Sequence, residues 1–120
     1  MFVNALPQYY QGLTNAKVDL TTTNVTTLYT APSSDTFNIS VVTSILVSED
    51  SGNADTLTVT LTNGSDVFSL FKTKSISANG TTELLTKDLV LQSGEILKVT
   101  AATANRLHVV ASIQEFSQQR

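Results

Sequence analysis

Short runs in which apolar residues alternate with hydroxyl-bearing residues constrain this chain more than any other feature. Residues 57–62 read LTVTLT, and residues 97–101 and 107–113 repeat the alternation. A period of two places the apolar side chains on one face of a β-strand and the polar ones on the other. Asn63 and Gly64, between two such runs, are typical of a tight hairpin turn because both tolerate positive φ. No stretch has a helical period, so the pattern predicts an all-β protein.

The length and composition predict how these strands are organised. The chain has 120 residues, of which 14% are charged, and it has no Cys. A chain of this size forms one domain with a single core, without disulfides or a thiolate metal site. We therefore predict a single antiparallel β-sandwich of seven or eight strands, Ig-like or jelly-roll-like, over residues 21–117. Residues 118–120 are expected to be a frayed tail.

Residues 1–20 differ from the rest because their large apolar residues have no regular spacing. These residues are broken by Pro7 and Gly12, which leaves two alternatives: a first edge strand with a loop, or an extended N-terminal arm. Exposed aromatic residues are unfavourable in water, so an arm would be covered by its own domain or by a neighbour. We expect deletion of residues 1–13 to leave the sandwich folded. The predicted interface residues are Phe2, Leu6, Tyr9, Tyr10 and Leu13.

The segment 37–48 is apolar on both faces, unlike the other strands. Such a strand is central and covered on both sides, or it lies at an interface. If the period of two is uninterrupted, Val42 and Leu46 lie on one face of this strand. The opposite face then carries a single column of side chains, formed by Phe37, Ile39, Val41, Thr43, Ile45 and Val47.

The single histidine, His108, is the first candidate for catalysis. It faces away from the apolar column of residues 107–113, so we expect it in solvent or at a subunit contact. Ser112 lies on the same strand face at about 13 Å by strand rise, too far for a direct hydrogen bond. We predict no catalytic residues and no enzymatic activity.

The loop of residues 49–55 is the candidate for a metal, because it carries three carboxylates and an amide. Ca²⁺ prefers such oxygen ligands, but the spacing does not match the twelve-residue helix–loop–helix pattern. A solvated acidic loop is the favoured interpretation. The other acids lie near predicted turns and there is no Gly-rich phosphate loop, so we predict no cofactor and no metal.

Charge and hydropathy exclude two partners. The net charge is −3, the pI is about 4.8, and the basic residues are scattered, which argues against nucleic acid. No window approaches the length of apolar residues that a membrane span needs. Residues 1–10 contain no Lys or Arg and are not expected to be a secretory signal.

Four segments resemble a family of small virion proteins of tailed bacteriophages. The segments are LYTAP at residues 28–32, VVTSILVS at 41–48, LVLQSGEILKVTA at 89–101 and VVASIQE at 109–115. The resemblance covers roughly residues 24–116 and consists of strand-and-turn patterns; the aromatic N-terminal segment has no counterpart in it.

The resemblance implies a structural protein carried on the virion and assembled in the host cytoplasm. The first hypothesis is a capsid decoration or cement protein that stabilises the head through subunit contacts. Its expected partners are the major capsid protein or other virion proteins and further copies of itself, as a homo-oligomer expected to be a trimer. The alternative is a head–tail or tail-fibre component that binds a host glycan.

Overall fold

The computed structural model describes residues 8–33 and 38–119 of the chain, with side chains for residues 12–33 and 38–116. This part of the chain forms nine β-strands and no helix. The strands are β1 (Gln8–Asp19), β2 (Thr26–Thr30), β3 (Asn38–Glu49), β4 (Asp55–Asn63), β5 (Asp66–Ile76), β6 (Thr81–Glu83), β7 (Leu89–Gln92), β8 (Ile96–Ala101) and β9 (Leu107–Gln119).

The strands form two antiparallel sheets. The five-stranded sheet has the order β1-β9-β3, with β6 and β7 both pairing with β3 on its other side; the four-stranded sheet has the order β2-β8-β4-β5. Along the chain, the pairs are nested: β1 pairs with β9, β2 with β8, β3 with β7 and β6, and β4 with β5. A long antiparallel hairpin whose pairs are split between two facing sheets is a jelly roll.

The predicted all-β sandwich is therefore confirmed, with nine strands among the described residues where seven or eight were predicted, and of its two predicted forms the strand order is that of the jelly roll. The predicted hairpin also forms, one residue later than predicted: Asn63 pairs with Asp66, so the turn residues are Gly64 and Ser65, and Gly64 has the positive φ of 62°. Lys87 and Asp88 lie in the segment between β6 and β7. In the described part of the chain, no helix is long and apolar enough to cross a membrane.

The N-terminal segment takes one of its two predicted forms, and the C-terminal end differs from its prediction. Residues 8–19 form β1 and pair with β9 along their whole length, so this part of the segment is the edge strand and not an extended arm. Backbone hydrogen bonds to β9 explain why the strand forms without regular hydrophobic spacing. At the other end, β9 continues to Gln119, into the residues predicted to fray. Residues 1–7 and Arg120 lie outside the described residues.

The core lies between the two sheets and contains only aliphatic side chains among its fully buried members. Cross-strand neighbours such as Val47 and Val109 of the five-stranded sheet face Leu57 and Val99 of the other. Burial of each such side chain contributes roughly 1.5–3 kcal/mol. The largest fully buried residues are Leu20, Val42, Ile45, Val47, Leu57, Val59, Ile76, Leu91, Leu97, Val99, Leu107 and Ile113.

Candidate interaction surface

A β-bulge in β3 determines which of its apolar residues reach the surface. Val42 lies opposite Ile113 of β9, but Ser44 lies opposite Ser112, so Thr43 is an extra residue in β3. The inward residues on either side of the bulge are consequently Val42 and Ile45, both fully buried.

The predicted single column of β3 is therefore wrong. Ile39 and Val41 lie on the outer face of the five-stranded sheet with Leu46, whereas Ile45 and Val47 lie in the core. The prediction assumed uninterrupted alternation, and the bulge at Thr43 exchanges the faces of the residues before it. Phe37 lies outside the described residues.

The outer face of the five-stranded sheet carries apolar side chains from four strands. Leu46 of β3 lies directly opposite Val110 of β9, and Val41 lies opposite Val90 of β7. Leu46 is 41% exposed and Val90 is 52% exposed, and no described element covers them. We call this set the outer apolar surface; it comprises Leu13, Ile39, Val41, Leu46, Val90, Val110 and Phe116.

The outer face of the four-stranded sheet has a different composition. Thr56, Thr58 and Thr60 of β4 point outward there, beside Lys98 and Thr100 of β8. Its larger apolar residues, Val67 and Ile96, lie together at one end. Threonine side chains of this kind are well solvated, so this face differs from the other in having its larger apolar residues at one end only.

His108 lies on the polar end of the outer face of the five-stranded sheet. Its Nε2 is 3.2 Å from Asp19 Oδ1, and its Nδ1 is 3.7 Å from Asp50 Oδ2. The imidazole is 42% exposed, as expected from its strand position. An open groove of about 430 Å³ runs beside it, lined by Lys17, Asp19, Ser48 and neighbouring valines.

This histidine has two acidic neighbours, and Ser48 of β3 lies directly opposite it in the strand pair. Ser112 is four residues away along β9, about 13 Å by strand rise. A nucleophile and its base must lie within hydrogen-bond reach, and no hydroxyl of the described residues is hydrogen-bonded to this imidazole. The two carboxylates orient the imidazole ring.

The acidic loop is held together by one buried carboxylate. Glu49 is only 2% exposed. Its Oε2 accepts a hydrogen bond from the Ser51 amide at 2.7 Å and another from the Ser51 hydroxyl, while its Oε1 accepts from the amides of Gly52 and Asn79 at 3.0 Å. Burial raises the pKa of Glu49, but these four hydrogen bonds lower it by more than burial raises it, so that the pKa falls to about 2. Glu49 thus joins the β3–β4 loop to the β5–β6 turn.

The remaining acids of this loop point elsewhere. Asp55 accepts a hydrogen bond from the Thr103 amide at 3.1 Å, and Asp50 lies beside His108. Within the described residues, no group of three or more metal-ligating side chains could hold an ion. The favoured interpretation of a solvated loop is wrong for Glu49, which is buried and binds the backbone.

The sign of the Glu49 shift gives a testable pH dependence. Because its pKa is lower in the folded state than the usual 4.5, its ionised form stabilises the fold above that pH, and this contribution is lost as the pH falls towards about 2. Glu49→Gln should therefore lower the melting temperature at pH 7, and the difference from the wild type should shrink at pH 2. Asp88→Asn, at an exposed position, is the matched control. An equal difference at both pH values would contradict this account.

Two further carboxylates fasten strands in the same way. Glu83 accepts hydrogen bonds from the Ser44 hydroxyl and from the amides of Ile45 and Leu85, at 2.8 and 3.1 Å. Burial raises the pKa of Glu83, but these bonds outweigh it and lower the pKa below its ordinary value. Glu95 accepts from the Gln92 amide at 2.7 Å, within the turn between β7 and β8.

A polar contact between the sheets involves the tyrosine of β2. The Tyr29 hydroxyl donates to the Glu115 carboxylate of β9 and lies 2.8 Å from the Ser40 hydroxyl of β3. Burial, followed by the hydrogen bond to Glu115, raises the pKa of Tyr29 to about 12. The ring is therefore a packing and bridging group rather than an exposed platform for a sugar.

The predicted interface residues are placed only in part. Leu13 is 77% exposed on the outer face of the five-stranded sheet, at the edge of the outer apolar surface. Tyr9 and Tyr10 lie in β1, but their side chains are outside the described set. Phe2 and Leu6 lie outside the described residues, so their role stays a prediction.

Of the outer apolar surface, the sequence pattern predicts only Leu13 as an interface residue, and Val90 and Val110 are not predicted to be exposed. The signal for this surface was that segment 37–48 is apolar on both faces, which predicted either a strand covered on both sides or an interface. Among the described residues no layer covers the outer face, which leaves the interface. Val90 and Val110 each occupy the outer position of a strand that also packs inward, which the sequence alone does not distinguish from a core position.

Comparison with known proteins supports the fold. No family model matches the chain, and neither does any curated protein. A protein from Bacillus endospore appendages, described as a novel family of disulfide-linked pili, has a TM-score of 0.58 at 9% identity, covering 100% of this chain and 96% of that one. The present chain has no Cys, so it cannot form the disulfides of those pili.

Two other solved structures are less similar. A chain of the acid-stable capsid of Helicobacter pylori bacteriophage KHP30 has a TM-score of 0.45 at 15% identity, over 95% of this chain and 94% of that one. Eiger TNF from S. frugiperda has a TM-score of 0.38 at 12% identity, over 95% and 93%. At these values the comparisons concern the arrangement of strands and carry no argument about function.

Proposed function

We propose that this chain is a non-enzymatic structural subunit of a tailed-phage virion, a capsid decoration or cement protein that attaches through its outer apolar surface. The observation that carries the proposal is that two apolar pairs, Leu46–Val110 and Val41–Val90, lie on the same outer sheet face and that no described element covers them; Ser44 and Ser112 lie between the two pairs. Apolar side chains exposed together on one face mark interaction sites.

The polar side chains support a structural role rather than a chemical one. Glu49, Glu83 and Glu95 accept hydrogen bonds from backbone amides of nearby strands and turns. Glu115 accepts a hydrogen bond from the Tyr29 hydroxyl. Carboxylates committed in this way are not available as general acids or bases at an open site. The phage assignment is supported by the resemblance of the strand-and-turn segments to small virion proteins.

The proposed mechanism is burial of apolar area between subunits. An interface of about 1,600 Å² is typical of a lasting contact, and many copies on one particle strengthen attachment through multivalency. The proposed partners are the major capsid protein or another virion protein and further copies of this chain. The predicted trimer and a contribution from Phe2 and Leu6 stay predictions.

The alternative, glycan recognition by a tail component, has less support. The groove beside His108 offers polar groups from Lys17, Asp19 and Ser48, but its lining includes no Phe, Tyr or Trp ring. Carbohydrate sites usually need a ring that stacks on the sugar, as an amphipathic aromatic can. Specific binding of the chain to a glycan array would favour this alternative over the proposal.

Attachment to particles that lack the protein tests the proposal. Leu46→Lys combined with Val90→Lys places two charges on the outer apolar surface, where burial against a partner would be costly. We expect at least about ten-fold weaker co-sedimentation with particles. Thr56→Lys combined with Thr100→Lys adds the same charge to the other outer face and should attach as the wild type does. Equal attachment of both double variants would contradict the proposed surface.

A further inference from the structure

The free edge of β1 is unusual for an edge strand. β1 pairs with β9 through twelve successive residue pairs without a register shift, and it has no strand partner on its other side within the described residues. The residues from Gln8 to Ala16 carry no charge; Lys17 and Asp19 lie at the end of the strand. A long, regular and uncharged edge is a template for pairing with another strand.

The hydrogen bonds indicate which residues offer this template. The Leu20 amide donates to the Leu107 carbonyl at 3.0 Å, and the two residues continue the β1–β9 register. Bonded pairs alternate along an antiparallel ladder, so the even-numbered residues of β1 are bonded to β9. The odd-numbered residues, including Leu13, Asn15 and Lys17, therefore direct their amide and carbonyl groups towards the free edge.

The other sheet edges carry features that discourage such pairing. β5 has register shifts against β4, a positive φ at Thr73, and two lysines, Lys72 and Lys74. β2 has five residues and a register shift at Leu28. On the far side of the five-stranded sheet, the edge is divided into β6 and β7, which have three and four residues. Bulges, lysines and short strands are the usual protection of an edge; β1 is long and has no bulge, and its single lysine, Lys17, lies towards the end of the strand.

We infer that β1 pairs with β1 of a second copy of this chain, antiparallel and related by a two-fold axis. The occupant must be an extended strand with its own unpaired groups, and β1 of a second copy is such a strand by construction. Each edge then satisfies the other without a further element, which is the self-complementary arrangement of a two-fold interface.

The charges of β1 select the register. Pairing centred on Lys17 would place the two lysines directly opposite each other, and like charges in that position are destabilising. Pairing centred on Asn15 places two carboxamides opposite each other, each able to donate and accept, and puts Lys17 opposite Leu13. In the single chain, the Asn15 side chain is exposed at this edge, and its Oδ1 accepts a hydrogen bond from Lys17 Nζ at 3.3 Å.

This inference goes beyond the proposed function and does not depend on it, and it replaces the expected trimer with a two-fold dimer. The two five-stranded sheets would become one continuous sheet, and Leu13 of each copy would lie beside the axis. The two outer apolar surfaces would then lie on one side of the pair. A pair of this kind would present twice the apolar face to a particle.

Sedimentation of the full chain tests the inference. We expect the wild type to sediment as a dimer at micromolar concentration, and Asn15→Lys, which places like charges across the axis, to associate at least about ten-fold more weakly. Asn15→Ala keeps the backbone pairing and should remain a dimer. Leu46→Lys with Val90→Lys should also remain a dimer, so loss of particle attachment and loss of pairing are separable.

Two further readouts keep the test decisive. Because the chain has no Cys, Asn15→Cys provides a single thiol, which a short bifunctional thiol reagent should convert to a covalent dimer. Hydrogen exchange should protect the amides of Asn15 and Lys17 in the wild type and not in Asn15→Lys, while circular dichroism reports that both are folded. A monomeric or trimeric wild type, or an unchanged dimer in Asn15→Lys, would overturn the inference.

Discussion

Val42→Asp should abolish the folded state, whereas Val41→Asp should leave it intact. Val42 is fully buried between the sheets, and an unpaired carboxylate there costs several kcal/mol, a large part of a typical stability of about 5–15 kcal/mol. Val41 lies on the outer face, opposite Gln114, where a carboxylate stays hydrated. Circular dichroism and thermal unfolding of the two variants measure the difference.

This pair of neighbouring valines tests the bulge at Thr43. An uninterrupted strand would put Val41 in the core and Val42 outside, which is the arrangement that the sequence pattern alone predicts. A stable Val42→Asp and an unfolded Val41→Asp would restore that arrangement. The Val41→Asp variant should also attach to particles poorly, because it introduces a charge into the outer apolar surface.

Removing residues 1–13 should destabilise the protein by about 3 kcal/mol or more. The deletion removes the pairing of residues 8–13 with 114–119. Three of these residue pairs, those of Gln8, Tyr10 and Gly12, are hydrogen-bonded pairs. Each such pair can form two backbone hydrogen bonds, so the deletion removes up to six. Each contributes roughly 0.5–1.5 kcal/mol, with less from those near the chain end. Urea unfolding of the shortened chain gives the free energy directly.

A chain lacking only residues 1–7 is the comparison for this deletion, because it keeps all of β1. The difference in unfolding free energy between the two shortened chains gives the contribution of residues 8–13. If both shortened chains unfolded at the same urea concentration, residues 8–13 would contribute nothing to stability. The segment would then behave as the dispensable arm that its irregular spacing predicted.

The strands with strict alternation could be predicted because local burial alone defines them. β4 and β8 pack one face on the core, so a period of two is visible in LTVTLT and in residues 97–101. The turn after Asn63 could be predicted to within one residue because its backbone conformation is a local property. β1 could be recognised only in part. Ala16, Val18 and Leu20 alternate with Lys17 and Asp19 and pack on the core, whereas the earlier residues of the strand show no such alternation and pair with β9 through the backbone.

The interaction surface could be predicted only in outline. Segment 37–48 was apolar on both faces, which indicated either a covered central strand or an interface. The choice depends on which strands flank β3 and on the bulge at Thr43, and both arise from pairing with β9, about seventy residues further along the chain. Glu49 was assigned to a solvated loop for a similar reason: the amide of Asn79, which helps to bury it, comes from a distant turn.

Footprinting of the assembled protein on its particle tests the central claim most directly. Hydroxyl radicals label exposed aliphatic side chains, and the free chain should be labelled at Leu46, Val90 and Val110. On the particle, we expect labelling of these residues to be strongly reduced, while Val25, in the loop before β2, and Val67, on the other outer face, remain labelled. Unchanged labelling of Leu46 and Val90, with protection at Val67 instead, would contradict the account.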